Sequence, residues 1–202
     1  MSVPKPMPIY VLAGGQGRRF GSDKARAAVG KTTLIERVAS ALAPAASSVT
    51  AVAQTIGAYQ DLGLTTIADR RRGLGPLGGL AAALEHRLSE DGPGWIALTP
   101  CDWLNPDSRW LDALHAQTPR DPTPQRGGAV VFGDRQRVHP LPGLYHTTLL
   151  PLVSERCGSD TRSLWQLLEA AAAQVLAPPP ALGTLEQANT PEQLGRWIHK
   201  NT

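Results

Sequence analysis

Short apolar runs that stop at glycine- or proline-rich turns alternate along this chain with longer segments whose apolar residues recur at helical spacing. That alternation restricts the fold to βα units wound on a largely parallel sheet. The pattern predicts a strand over 8–12, a glycine-rich loop, a helix over 33–42 (TLIERVASAL) and a second strand over 48–54, one complete βαβ unit. A short strand over 64–68 follows, then a helix over 77–88 opened by Gly75 and Pro76, then a buried strand over 95–98 before the turn TPCDW. Residues 106–115 read as a helix with proline in its first turn. Residues 117–128 hold three prolines, two glycines and no apolar periodicity, so they read as a surface loop, either a lid or a plain connection. Strands over 129–132 and 141–145 flank the charged segment GDRQRVHP, and helices are expected over 149–154 and 163–173. Three prolines at 178–180 stop regular structure, and Thr190 is placed to cap a last helix over 191–199.

At 202 residues and 42% hydrophobic composition, the chain can bury one sizeable core. With no internal repeat and no splitting linker, a single domain over 1–202 is expected. The net charge of +3, from 20 basic and 17 acidic residues, is too small and dispersed for a nucleic-acid groove. Cys101 and Cys157 cannot build a disulfide framework and sit in no metal-ligand spacing, so both read as reduced thiols of a cytoplasmic protein. The N-terminal apolar run is broken by prolines and glycines, which fits neither a signal peptide nor a membrane span.

The most informative stretch is 12–24, LAGGQGRRFGSDK, directly after the first strand. Gly14, Gly15 and Gly17 let backbone N–H groups approach an anion without Cβ obstruction, so the loop can cradle phosphates. Arg19 and Lys24 add charge, and lysine is suited as a mobile point charge to an α-phosphate whose charge shifts during transfer. Two other phosphate motifs fail here. The glycines at 15, 17 and 21 are spaced one residue too long for the dinucleotide fingerprint, and Gly30-Lys31-Thr32 lacks the P-loop's first glycine, because position 25 is Ala25. GKTT therefore reads as a turn and a helix cap. Glycines and basic residues in 12–24 can also simply connect a strand to a helix.

Asp102 follows the run WIAL and a proline turn, which puts its carboxylate at the carboxyl end of the sheet, where open α/β sheets bind ligands. A lone carboxylate is what proteins usually contribute to a Mg²⁺ that keeps waters and substrate phosphates. Taken alone, such an aspartate serves equally as a helix cap or a surface charge. Cys101 has no indicated base beside it and is assigned to packing.

LAGGQGRRFGSDK closely resembles the signature of the molybdenum cofactor guanylyltransferases. The resemblance continues in order through IADRRRGLGPLGGL (67–80), TPCDW (99–103), DRQRVHP (134–140) and QANTPEQL (187–194). It implies a three-layer α/β/α, Rossmann-like nucleotide-diphospho-sugar transferase fold with a mostly parallel sheet, its N-terminal half for the nucleotide and its C-terminal half for the acceptor. It further implies the backbone of Leu12, Ala13 and Gly14 near the nucleotide, Gly15 and Arg19 at the phosphates, Lys24 as the critical cation and Asp102 as the Mg²⁺ ligand. Asp69 and Gly75 would lie on the nucleotide side, and Asn189 on the acceptor side. Each has a plainer alternative: Asp69 as a turn residue, Asn189 as part of a helix cap.

Arg135, Arg137 and His139 form a basic cluster that either meets the acceptor or lines a solvated hairpin. Arg156, Arg162 and the segment CGSDTRS resemble a region near the acceptor. The chain departs from the family at the asparagine after the second strand, where Val52 stands, flanked by Ala53 and Gln54, and Gln187 replaces a second asparagine. LAGG with GPLGG resembles the guanylyl branch, since cytidylyl relatives carry LAAG. The implied reaction joins GTP to the terminal phosphate of molybdopterin and releases pyrophosphate, with cofactor-delivery proteins or apo-molybdoenzymes as partners, and with no nucleic acid and no membrane. The alternatives are a related transferase using CTP or a sugar-phosphate acceptor, and a non-catalytic nucleotide- or cofactor-binding module.

Overall fold

A computed structural model describes residues 6–14, 20, 23–69, 73–134, 137–159 and 163–201. Among these are β1 (Met7–Leu12), β2 (Ala28–Val29), β3 (Thr32–Thr33), β4 (Ala46–Ala53), β5 (Thr65–Ala68), β6 (Trp95–Pro100), β7 (Ala129–Gly133), β8 (Val138–His146) and β9 (Gln174–Leu176). The helices are α1 (Leu34–Leu42), α2 (Pro76–Asp91), α3 (Ser108–His115), α4 (Leu150–Cys157), α5 (Leu164–Ala170) and α6 (Pro191–Asn201). Seven strands form one sheet in the order β5-β4-β1-β6-β8-β7-β9. Only β8 runs against its neighbours, β6 and β7; the remaining pairings in that sheet are parallel.

Alternation along each strand divides the core into two layers. On β1, Ile9 and Val11 face one side, where Ile35, Val38 and Leu42 of α1 and Trp110, Leu111 and Leu114 of α3 cover them. Tyr10 faces the other, under Leu77, Leu80 and Leu84 of α2, with Val153 of α4 and Leu167 of α5. Burying each such aliphatic or aromatic side chain contributes about 1.5–3 kcal/mol, so these two faces hold the helices to the sheet. The three-layer α/β/α arrangement and the mostly parallel sheet follow.

α1 begins where the sequence predicts. Thr33 accepts from the backbone N–H of Glu36, and the Glu36 carboxylate accepts from the Thr33 backbone N–H at 2.8 Å, a reciprocal cap. Lys31 and Gly30, at φ 63°, turn β2 into β3, so GKTT is a hairpin turn and cap. Four expectations need correction. α3 starts at Ser108, because Asp107 is extended and accepts from the Arg109 N–H at 2.9 Å; Pro106 therefore precedes the cap and is not in the first turn. β8 reaches back to Val138, so His139 and Pro140 of the charged segment belong to the strand. The helix expected over 163–173 stops at Ala170, and Gln174–Leu176 instead extends the sheet as a three-residue edge strand. β4 ends at Ala53, which leaves Val52 inside the strand with 1% exposure and makes Gln54 the first residue past it.

Candidate functional site

Chain order makes the crevice. From β1 the chain runs outwards through β4 to β5, then α2 carries it back across to β6 on the other side of β1. The loops after β1 and β6 diverge at that switch point, where open α/β sheets receive ligands. Three backbone bonds hold the loop starts level with the strand ends: Ala13 N–H to Val52 O at 2.9 Å, Asp69 N–H to Ala53 O at 2.7 Å and Cys101 N–H to Leu12 O at 3.1 Å. Gly14, Gln54, Asp69 and Asp102 thus share the carboxyl edge of the sheet.

Lys24, Asp102 and Asn189 come together there. The Lys24 ammonium pairs directly with Asp102 Oδ2 and lies 3.5 Å from Asn189 Oδ1, with the Phe20 ring 5.4 Å from the cation. The pair is poorly hydrated, with side-chain exposures of 20% for Lys24 and 11% for Asp102. The second carboxylate oxygen, Asp102 Oδ1, is buried and has no hydrogen-bond partner among the described residues. An unpaired buried carboxylate oxygen is costly, so one that persists at a sheet edge is set up for a ligand.

Asn189 reaches the site by a long-range pairing. Trp103 bridges Gln187 in antiparallel fashion, Leu104 N–H donates to Glu186 O at 2.8 Å, and Ala188 N–H donates to Asp102 O at 3.2 Å. Asn105 secures the same segment, donating to Thr184 O and accepting from Glu186 N–H. At α6, Thr190 Oγ1 accepts from Gln193 N–H at 3.2 Å, and Gln193 Oε1 accepts from the Asn189 backbone N–H at 2.6 Å. The cap thus uses the hydroxyl of Thr190 and the backbone of Asn189. Asn189's side-chain oxygen points to Lys24.

On the β4 side of the crevice, Gln54 donates to Gly14 O at 3.4 Å. A methyl added at Gly14 would meet Ala53 and Gln54 backbone no closer than 3.6 Å, so protein packing does not demand glycine there. Gly75, at φ 57°, begins α2 in a conformation that L side chains rarely adopt, and no side chain caps that helix. Asp69 lines a cleft of about 440 Å³ between the edge strand β5 and α2, together with Ile67, Gly78, Glu85 and His86. It therefore lies on the β5–α2 side of the sheet's carboxyl edge.

Gly15 and Arg19 lie outside the described residues, as do Arg135 and Arg162. Arg137 and His139 are described. The antiparallel pairing of β8 with β6, Leu98 against Gly143, sets the start of β8 at the same edge as Asp102. Burial, with Arg137 adding to it, lowers the His139 pKa, which favours its neutral form. Burial, then the Asp102 charge, pushes the Cys101 thiol up to about 12, so Cys101 remains a protonated packing residue. Tyr59 and Asp23, which sequence reading passed over, also adjoin this site; the Asp23 carboxylate accepts from Ala25 N–H at 3.0 Å and from Tyr59 OH at 2.9 Å.

Among the described residues no helix is long and apolar enough to cross a membrane. The model of the MobA-like NTP transferase domain matches residues 9–175. A probable molybdenum cofactor guanylyltransferase of Deinococcus radiodurans is 36% identical over 162 residues, covering 79% of this chain and 77% of that protein. The molybdenum cofactor guanylyltransferase of Serratia proteamaculans is 31% identical over 192 residues, 93% of this chain and 91% of its own. In fold, the chain is similar to molybdopterin-guanine dinucleotide biosynthesis protein A of Archaeoglobus fulgidus, with a TM-score of 0.76 at 21% identity over 96% of this chain and all of that one. With glycine loop, switch-point crevice and family match in agreement, the chain belongs to the MobA-like NTP transferase family, the nucleotidyltransferases that include the molybdenum cofactor guanylyltransferases.

Proposed function

We propose that this protein transfers GMP from GTP to the terminal phosphate of molybdenum-bound molybdopterin, giving molybdopterin guanine dinucleotide and pyrophosphate. The observation that carries this reading is the convergence of Lys24, Asp102 and Asn189, which sets a cation from the glycine loop and an amide from the C-terminal segment around one carboxylate. A phosphate oxygen of the acceptor attacks the α-phosphorus of GTP, a new P–O bond forms, and the bond to the β-phosphate breaks to release pyrophosphate. The attacking oxygen is already anionic, so the protein's task is alignment and charge neutralisation rather than proton abstraction.

Leu12, Ala13, Gly14 and Gly15 approach the nucleotide, Arg19 and Lys24 its phosphates, and Asp69 and Gly75 its nucleoside. Asn189 orients the acceptor. In this reading the whole chain works as one domain, its N-terminal half binding nucleotide and its C-terminal half binding acceptor.

Mg²⁺ is the metal we assign to Asp102. The orphaned, buried Oδ1 fits a single-carboxylate ligand, and a hard cation held by one carboxylate plus substrate phosphates and water needs no cluster of protein ligands. When bound, the ion supplies charge neutralisation at the phosphates. Two free thiols, Cys101 and Cys157, suit a cytoplasmic enzyme, and cofactor-delivery proteins or apo-molybdoenzymes are its expected partners. Calorimetric titration with GTP, CTP, UTP and ATP in the presence of Mg²⁺ tests the donor. GTP is expected to bind most tightly; preference for CTP would move the protein to the cytidylyl branch.

A further inference from the structure

The turn that carries Lys24 is fastened from outside the glycine loop. Tyr59 lies between β4 and β5 with 2% exposure, and its backbone N–H donates to Thr66 Oγ1 of β5 at 3.3 Å. Its hydroxyl is 2.9 Å from Asp23 Oδ2 and 3.3 Å from the Ala13 carbonyl oxygen. A hydroxyl has one hydrogen to give, and here it is shared in a three-centre bond, with the shorter, charge-assisted contact to Asp23 the stronger arm and Ala13 the weaker. Asp23 Oδ1 accepts from Ala25 N–H at 3.0 Å and so caps the short turn Lys24–Arg26.

Arg26 ties the far end of that turn to the same segment. Its guanidinium forks onto Asp61 at 2.8 and 2.7 Å, donates to Ala58 O at 2.7 Å and lies 5.3 Å from the Tyr59 ring centre. Burial, reinforced by the Asp23 hydrogen bond and charge, raises the Tyr59 hydroxyl well above the ordinary tyrosine range, so at neutral pH it is a protonated donor.

We propose that Tyr59 and Asp23 are a positioning pair: the Tyr59 hydroxyl holds Asp23, and with it the Lys24 turn, beside the backbone at Ala13, so that the Lys24 ammonium keeps a fixed relation to the Ala13–Gly14 backbone at the crevice. The inference rests on Lys24 acting in nucleotidyl transfer. Tyr59 touches no substrate in this account; it acts through Lys24. A displaced cation costs turnover more than binding, because alignment matters most in the transition state.

The test is Tyr59→Phe, which keeps the buried ring and removes only the hydroxyl, assayed with whichever nucleoside triphosphate the wild type turns over. Used this way, a donor other than GTP would overturn the function proposed above and leave this test intact. We expect kcat to fall about tenfold with KM for the nucleotide changed less than about twofold. In a Lys24→Ala background, adding Tyr59→Phe should cost nothing further. An unchanged kcat, a loss confined to KM, or the same tenfold loss in the Lys24→Ala background would each overturn the proposal. If Tyr59→Phe does not fold, Asp23→Ser decides the question by the same criteria, since Asp23 is at the surface and a serine hydroxyl keeps an acceptor for Ala25 N–H while being too short to reach the Tyr59 hydroxyl.

Discussion

Replacing Lys24 by alanine separates two consequences of a single cation. In the free protein it leaves Asp102, 8% exposed, with neither carboxylate oxygen paired to a described side chain, because Oδ2 loses its ammonium and Oδ1 has no partner. Breaking a fully buried ion pair costs about 3–5 kcal/mol, and an exposed pair is worth about 0–1 kcal/mol. With both partners mostly but not wholly buried, about 2 kcal/mol is the expected loss. For a chain of this size that corresponds to a melting temperature lower by about 4–8 °C. Mg²⁺ should restore part of it, and should raise the melting temperature of the variant more than that of wild type, in which Lys24 already compensates Asp102. In catalysis, losing one well-placed charge removes on the order of 2–4 kcal/mol of barrier lowering, roughly 30- to 1000-fold in rate. Calorimetry with and without Mg²⁺ reads the first effect, and single-turnover transfer at saturating GTP reads the second. A variant as stable as wild type with no added response to Mg²⁺ would refute the paired-charge reasoning. Normal single-turnover transfer once saturated would make Lys24 a ground-state binding residue.

Gly14→Ala should fold normally, since its added methyl has ordinary clearance, and should weaken GTP relative to CTP in competition titrations; unchanged preference would mean that this glycine does not read the base. Thr33→Ala removes the reciprocal cap of α1 and should cost about 1 kcal/mol, seen as a thermal midpoint lower by about 2–4 °C with turnover at room temperature retained. Cys101 is pushed up from an ordinary thiol pKa to about 12 by burial, so above the unfolded thiol's pKa the unfolded chain ionises while the native one stays protonated. Stability should therefore be intact below about pH 9 and decline as pH rises further, and Cys101→Ala should shallow that decline in denaturant titrations.

Elements whose cause is local were legible in the sequence. The strands of the N-terminal half, the capped start of α1, the glycine loop and the terminal carboxylate of β6 each rest on periodicity or turn chemistry within a dozen residues. Lys24 and Asp102 could be named from that alone together with a family signature. What brings Asn189 to them could not, because it depends on residues 102–104 pairing with 186–188 across some eighty positions, and no local pattern encodes that register. Tyr59 was missed for a related reason: in sequence it is an aromatic in a loop, and its hydroxyl acquires a role only when β4 and β5 fold the loop over Asp23. β9 escaped notice because three residues at a sheet edge carry almost no alternation. Val52, the position aligned with the family's asparagine after the second strand, lies inside β4, which ends at Ala53, so the first residue past the strand is the exposed Gln54 and not the core valine.

In the proposed reaction one crevice joins GTP to molybdopterin through Lys24 and Asp102. The most direct measurement incubates the purified protein with Mg²⁺, GTP and molybdenum-bound molybdopterin, and follows pyrophosphate release alongside mass spectrometry of the pterin product. One pyrophosphate is expected per molybdopterin guanine dinucleotide formed, with CTP a poor substitute and with both signals lost in Asp102→Asn although its circular dichroism is unchanged. Formation of the cytosine dinucleotide in preference, or undiminished guanine dinucleotide formation by Asp102→Asn, would contradict it.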